Sequence, residues 1–279
     1  MNFKFACSDA TFPLLSHEKA LRLIALLDFE GVDIGLFEER SKLQPSQAFM
    51  DPQKNGRMLY QQAADNGLKI ADVFYQAALD FTLKAVNHPD VAIRRQEREN
   101  FLKTLDYANA AQSYHVTCLP GVHYEQESDR DSLQRASEEL AWRAEEAQGA
   151  GLSFGVEAHI GSIVQTPEQV LELLRMTDGL KLTLDYTHFM RQGIVSEEVH
   201  PLIPYASHFH ARGAANGRLQ TTMSENEIDY VAIVKEMKKT NYPGYFGIEY
   251  TWTEWEDCNH TDNVSESILL MDMIKKMEG

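Results

Sequence analysis

The chain has 279 residues, 43% apolar and 24% charged, which is enough hydrophobic surface for a full core and excludes global disorder. Its 26 Lys and Arg face 42 Asp and Glu, a net charge of −16, which argues against a nucleic-acid binder and against docking on anionic lipid. Cys7, Cys118 and Cys258 stand far apart without a CxxC pair, no 18-residue apolar run occurs, and no signal-peptide pattern opens the chain; the expectation is a cytoplasmic protein with no disulfides and no membrane span.

Short β-rich runs alternate with longer helical stretches from end to end. The runs are Phe3–Cys7, Gly31–Phe37, Leu68–Phe74, His115–Leu119, Leu152–Glu157, Lys181–Asp185, Ala206–His210 and Tyr245–Glu249. Helices are expected to begin near His17, Lys54, Asp90, Ser128, Pro167, Ser196, Glu225 and Val264. Thr166-Pro167-Glu168-Gln169 reads as a capping box with proline at the first helical position, and Ser224-Glu225-Asn226-Glu227 as a second box. Eight β-then-α units in a chain of this length predict one (β/α)₈ TIM barrel over residues 1–279. An open doubly wound sheet would favour a Gly-rich turn after the first strand, and Cys7-Ser8-Asp9-Ala10-Thr11 has none. The longer loops are Glu38–Gln53 and Tyr250–Asp262.

The chemistry gathers in the second half. Barrel-strand side chains alternate between the interior and the helices. In the fifth strand Leu152, Phe154 and Val156 suit the helices, which turns Glu157 inward at the strand's C-terminal end. The same parity turns Asp185 inward on the sixth strand, His208 and His210 on the seventh, and Glu249 on the eighth. That end of a barrel is where active sites lie. The four of these at the rim, Glu157, Asp185, His210 and Glu249, are costly to bury alone, and a divalent cation relieves the cost. Three carboxylates and one imidazole form a mostly hard, oxygen-rich set that suits Mn²⁺ first, with Mg²⁺, Co²⁺ or Zn²⁺ as alternatives.

Val156-Glu157-Ala158-His159, Asp185-Tyr186-Thr187-His188, His208-Phe209-His210 and Ile248-Glu249-Tyr250 resemble the strand-end motifs of the xylose-isomerase-like sugar (phosphate) isomerase/epimerase superfamily. The resemblance runs from Phe3 to the last helix. It implies one metal held by Glu157, Asp185, His210 and Glu249, and a substrate contact for His188. His159 is inward by parity and is read as a pocket residue; His208, one pleat deeper, suits a structural role. Many relatives follow the histidine of the seventh strand with a Lys-Asp pair. Here Ala211-Arg212-Gly213-Ala214-Ala215-Asn216-Gly217-Arg218 offers two arginines, whose planar forks suit a carboxylate or phosphate on the substrate. Trp252 and Trp255, in the loop after the eighth strand, suit either a cover over the site or the subunit interface of a homo-oligomer. Cys258 and His260 lack two further soft ligands for a second metal.

The reaction that follows is proton transfer next to a ketone. Glu157 and Glu249 flank the substrate as base and acid, giving an isomerase or epimerase of a ketose through an enediolate. A lyase that decarboxylates or dehydrates a keto sugar acid or keto-polyol is the rival within enzymes. An endonuclease IV-like nuclease needs further histidines and an Asp-x-His motif. The third strand ends Phe74-Tyr75-Gln76, and Asp229 is followed by Tyr230-Val231, so those are missing. A binding barrel without catalysis is the remaining alternative.

Overall fold

The computed structural model describes residues 2–278. The strands are β1 (Lys4–Ser8), β2 (Gly31–Phe37), β3 (Lys69–Gln76), β4 (His115–Cys118), β5 (Ser153–Glu157), β6 (Lys181–Asp185), β7 (Ala206–Ala211), β8 (Gly213–Ala215), β9 (Arg218–Thr221) and β10 (Tyr245–Ile248). All but β8 and β9 pair in parallel, in the order β1-β10-β7-β6-β5-β4-β3-β2, and close into a barrel. The (β/α)₈ expectation is met, with β10 in the place of the eighth barrel strand.

Strand parity holds. Phe154, Val156, Leu182, Leu184, Phe209, Phe246 and Ile248 are buried in the layer between strands and helices, each fully buried side chain contributing on the order of 1.5–3 kcal/mol. Helix starts are fixed by side chains that satisfy orphan backbone N–H groups: Asp51 accepts from Lys54, Asp90 from Ala92, Ser128 from Asp131 and Asp262 from Val264 and Ser265. The Thr166–Gln169 capping box is present as read, with Pro167 in the first turn. The second box is not. Ser224 and Glu225 lie in a single 3₁₀ turn, and the helix starts at Tyr230 with Asp229 as its cap. The backbone between them is spent on the β8–β9 hairpin: Glu227 N donates to Ala214 O, and Asn226 Oδ1 accepts from the amides of Ala214 and Ile228. The helix expected at Ser196 is one turn, Ser196–Val199, running into 3₁₀ turns over His200–Tyr205, where Pro201 and Pro204 remove the donors a longer helix needs.

The inner face of the barrel is polar below the rim. His115 Nδ1 lies 2.8 Å from Asp72, His115 Nε2 2.8 Å from Ser207 Oγ, and His208 Nε2 3.0 Å from Asp33. Two glycines make room for these pairs. A Cβ on Gly155 would come within 3.1 Å of His115 Nε2, and one on Gly247 within 2.9 Å of His208 Nε2. The three cysteines are buried and unpaired. Among the described residues no helix is long and apolar enough to cross a membrane.

Candidate active site

Parallel register sets the rim. Asp185 on β6 and Gly247 on β10 are both level with His210 on β7; Glu157 on β5 is level with Thr183. Glu249 follows β10, its amide donating to Ala211 O. Glu157, Asp185, His210 and Glu249 thereby bring one ligand atom each to within 4.8 Å of one another, all buried. His210 Nδ1 stands 2.5 Å from Glu157 Oε1 and 3.4 Å from Glu249 Oε2. The crowding is electrostatically severe. Burial raises the Glu157 carboxyl, and the charges of Glu249 and Asp185 add to it against the pull of His210. Burial would lower His210, but Glu249 and Glu157 together drive it well above the ordinary imidazole value. A divalent cation fits this donor set, because three oxygen acids and one imidazole meet at one point with too little positive charge to balance them.

The turn after β6 is built by Asp185 itself. Its Oδ1 accepts from the Thr187 amide at 2.8 Å and the Thr187 hydroxyl at 2.7 Å, which ends the strand and starts a helical turn. Its Oδ2 is left facing Arg212 at 3.3 Å and His188 Nε2 at 3.5 Å. His188 Nδ1 accepts from the Ile160 amide, so the neutral ring carries its proton on Nε2, directed at Asp185 and Glu157. Burial keeps this ring neutral, well below the usual imidazole range. His159 is lowered to about 4, chiefly by burial. It lies 4.3 Å from His188 and 5.4 Å from Trp255, the indole and imidazole planes differing by 4°.

These groups face a cavity of about 190 Å³. Its walls include Glu157, His159, His188, Arg212 and Glu249, together with Trp252 and Trp255. The tryptophans, 44% and 43% exposed, therefore lie over the site with one face open. Trp255 is held by the turn that follows it, where Glu256 and Asp257 take left-handed backbone angles and Glu256 makes a two-pronged ion pair with Arg191.

The two arginines of the segment after β7 part company. Arg212 is buried, bonded to Asp185, the Thr187 hydroxyl and the Glu249 carbonyl. Arg218 begins the second strand of the hairpin, half exposed and 3.1 Å from Glu225, and is not among the cavity residues. Sequence reading missed the opposite wall: Asp9 after β1, Phe37, Arg40 and Lys42 at and beyond β2, and Phe74 and Gln76 on β3. Strand-end parity would have found Gln76. A long loop at the rim end carrying two cations was the available signal for Arg40 and Lys42.

No curated protein matches the sequence. Among solved structures, a D-psicose 3-epimerase from Clostridium cellulolyticum H10 with D-tagatose is 16% identical over 98% of this chain and 99% of that one, with a TM-score of 0.78. The probable 3-DHS dehydratase AsbF of Bacillus anthracis is 17% identical over 96% and 98%, with a TM-score of 0.71. The 3-keto-D-glucoside 4-epimerase YcjR of E. coli is 12% identical over 99% and 100%, with a TM-score of 0.73. At these identities the likeness establishes a shared fold. The family model described as xylose isomerase-like TIM barrel matches residues 21–274, so the chain belongs to that family.

Proposed function

We propose that the protein is a divalent-metal-dependent isomerase or epimerase of a ketose or related sugar. The carrying observation is the meeting of Glu157, Asp185, His210 and Glu249 at the barrel rim beside a cavity. These four residues would hold the ion, Mn²⁺ being the best match to a mostly oxygen set. When bound, the ion supplies Lewis-acid polarisation of substrate oxygens. Glu157 and Glu249 come from opposite sides of the cluster and handle the proton. One carboxylate takes the proton from the carbon beside the carbonyl, the electron pair forms an enediolate, and the other acid returns a proton, so one proton leaves and one enters. His188, with Nε2–H directed at the acids, orients substrate oxygens. Trp252 and Trp255 keep water from the reacting carbon.

The epimerase names among the similar folds support this reading, and the dehydratase among them keeps the lyase as a second one. A dehydratase starts with the same proton removal, whereas a decarboxylase reaches the enediolate by losing CO₂, the C–C bonding pair staying on the sugar. Incubating the metal-loaded protein with a ketose panel in deuterium oxide tests the proposal. Deuterium beside the carbonyl, lost on chelation, is the expected result. No exchange with any ketose or keto sugar acid by protein of verified metal content would overturn it. Release of water or CO₂ would select the lyase.

A further inference from the structure

The wall facing the metal cluster carries two cations without acidic partners. Among the described residues, Arg40 donates one bond, to Gln76 Oε1 at 3.3 Å, and Lys42 donates to the backbone carbonyl of Asp9 at 2.8 Å; neither meets a carboxylate. A guanidinium has five N–H donors and an ammonium three, so most of their donors are unspent, and both residues line the cavity, Arg40 exposed and Lys42 half-buried. Arg40 is also pre-oriented, its guanidinium lying 4.6 Å from the Phe37 ring. Arg212, by contrast, has most of its donors engaged by Asp185, Thr187 and the Glu249 carbonyl.

We propose that Arg40 and Lys42 form the binding site for a substrate carboxylate, so that the substrate is a keto sugar acid. This rests on the sugar-enzyme reading of the same cavity. A carboxylate matches the site better than a phosphate does. Barrels usually seat a phosphate on backbone amides of the loops after the seventh and eighth strands. Here four amides of the segment after β7 are occupied: Gly213 N donates to Tyr250 Oη, Ala214 N to Asn226, Asn216 N to Glu227 and Gly217 N to the Arg191 carbonyl. After β2 the cavity wall offers one planar fork and one ammonium, the arrangement that suits a single carboxylate.

The test is tryptophan-fluorescence titration of the metal-loaded protein with D-gluconate, D-sorbitol and D-sorbitol 6-phosphate, which share one carbon chain and differ at its end. Gluconate is expected to bind at least about tenfold tighter than sorbitol, the scale of a charge-assisted contact. In Arg40→Gln/Lys42→Met the preference should shrink to within about twofold while sorbitol binding holds, and Arg40→Lys should keep part of it. Thermal melts of each variant check folding. Equal binding of gluconate and sorbitol by the wild type would overturn the proposal. So would a gluconate preference that survives in the double variant, which would put the carboxylate on the ion, or tighter binding of the phosphate. A preference that depends on Arg40 and Lys42, in a protein that exchanges no proton of any ketose or keto sugar acid, would support the anion site and refute the reaction.

Discussion

At the rim, Glu157, Asp185 and Glu249 crowd a single imidazole, His210, beside a cavity. Closer to the N-terminal ends of the strands, Asp72, His115 and Ser207 form a string with spacings of 2.8 and 2.8 Å. By residue type the second group looks the more catalytic, since acid–imidazole–hydroxyl is the order of a hydrolase triad. Its surroundings say otherwise. Asp72 and His115 are wholly buried, none of the three lines the cavity, and both ring nitrogens of His115 are satisfied. Burial would raise the Asp72 carboxyl but is outweighed by the His115 hydrogen bond together with the charge of His115, His208 and His210, and burial keeps His115 neutral. One acid matched to one imidazole in a closed space is structure. Three acids around one imidazole beside an opening, with Arg212 alone among the cations paired to them, form a donor set that a divalent cation fits. The lesson is that charge balance and access, rather than residue identity, separate a scaffold from a site.

The largest effect that distinguishes the two groups is on stability. Asp72→Ala strands the Nδ1–H of His115 in a dry interior and should cost about 3 kcal/mol. Glu249→Gln removes one of three mutually repelling acids, so the chelated, metal-free protein should melt no lower than wild type. Urea titrations of both variants in EDTA measure this. Equal destabilisation would break the distinction. Next comes turnover. Glu157→Gln and Glu249→Gln should each lose at least about a hundredfold, the scale of a lost acid or base. Metal content measured in parallel separates lost chemistry from lost ion. Full turnover in either variant would remove its assigned role.

A smaller effect is expected from pH. The folded value of His115 is lowered below its ordinary one, so the unfolded chain accepts a proton near pH 6.5 that the folded chain refuses. Its contribution is fully present above about pH 6.5 and is lost as pH falls. His115→Gln should therefore make the stability-versus-pH slope between pH 7 and 5 shallower, by up to about 1.4 kcal/mol per pH unit for one proton. An unchanged slope would mean that His115 titrates alike in both states.

The barrel and the rim of its second half were legible because strand alternation is a period-two signal that survives without tertiary information. Val156 facing the helices forces Glu157 inward, and Ile248 does the same for Glu249. What depends on chain path outside the strands was not legible. Ser224-Glu225-Asn226-Glu227 has the composition of a capping box, but Asn226 and Glu227 bond the hairpin and delay the helix to Tyr230. Arg40 and Lys42 reach the cavity from a loop with no periodicity to orient them. Asp72 and His115 sit on early strands, and pattern alone does not show that Gly155 leaves the space His115 occupies.

The segment after β7 gives the finest test of site against scaffold. Arg212 and Arg218 share one Gly-containing stretch and are equivalent by sequence. The β8–β9 hairpin separates them. Gly213 can start the hairpin because a side chain there would press on the Thr221 backbone, at 2.7 Å from a Cβ, and on the Tyr250 hydroxyl, at 3.0 Å. This leaves Arg212 on the barrel side, holding the Asp185 oxygen that also faces His188. Arg218 is carried outward to Glu225 on the surface, where exposed ion pairs contribute little. Arg212→Ala should cost roughly ten- to a hundredfold in kcat/KM, because Asp185 loses a charge-assisted bond that positions it, and Arg212→Lys should recover only part for want of the planar fork. Arg218→Ala should stay within about twofold of wild type. The same steady-state assay on all three variants decides the matter. A loss in Arg218→Ala as large as that in Arg212→Ala would mean that the hairpin folds over the cavity during turnover and that Arg218 belongs to the site after all.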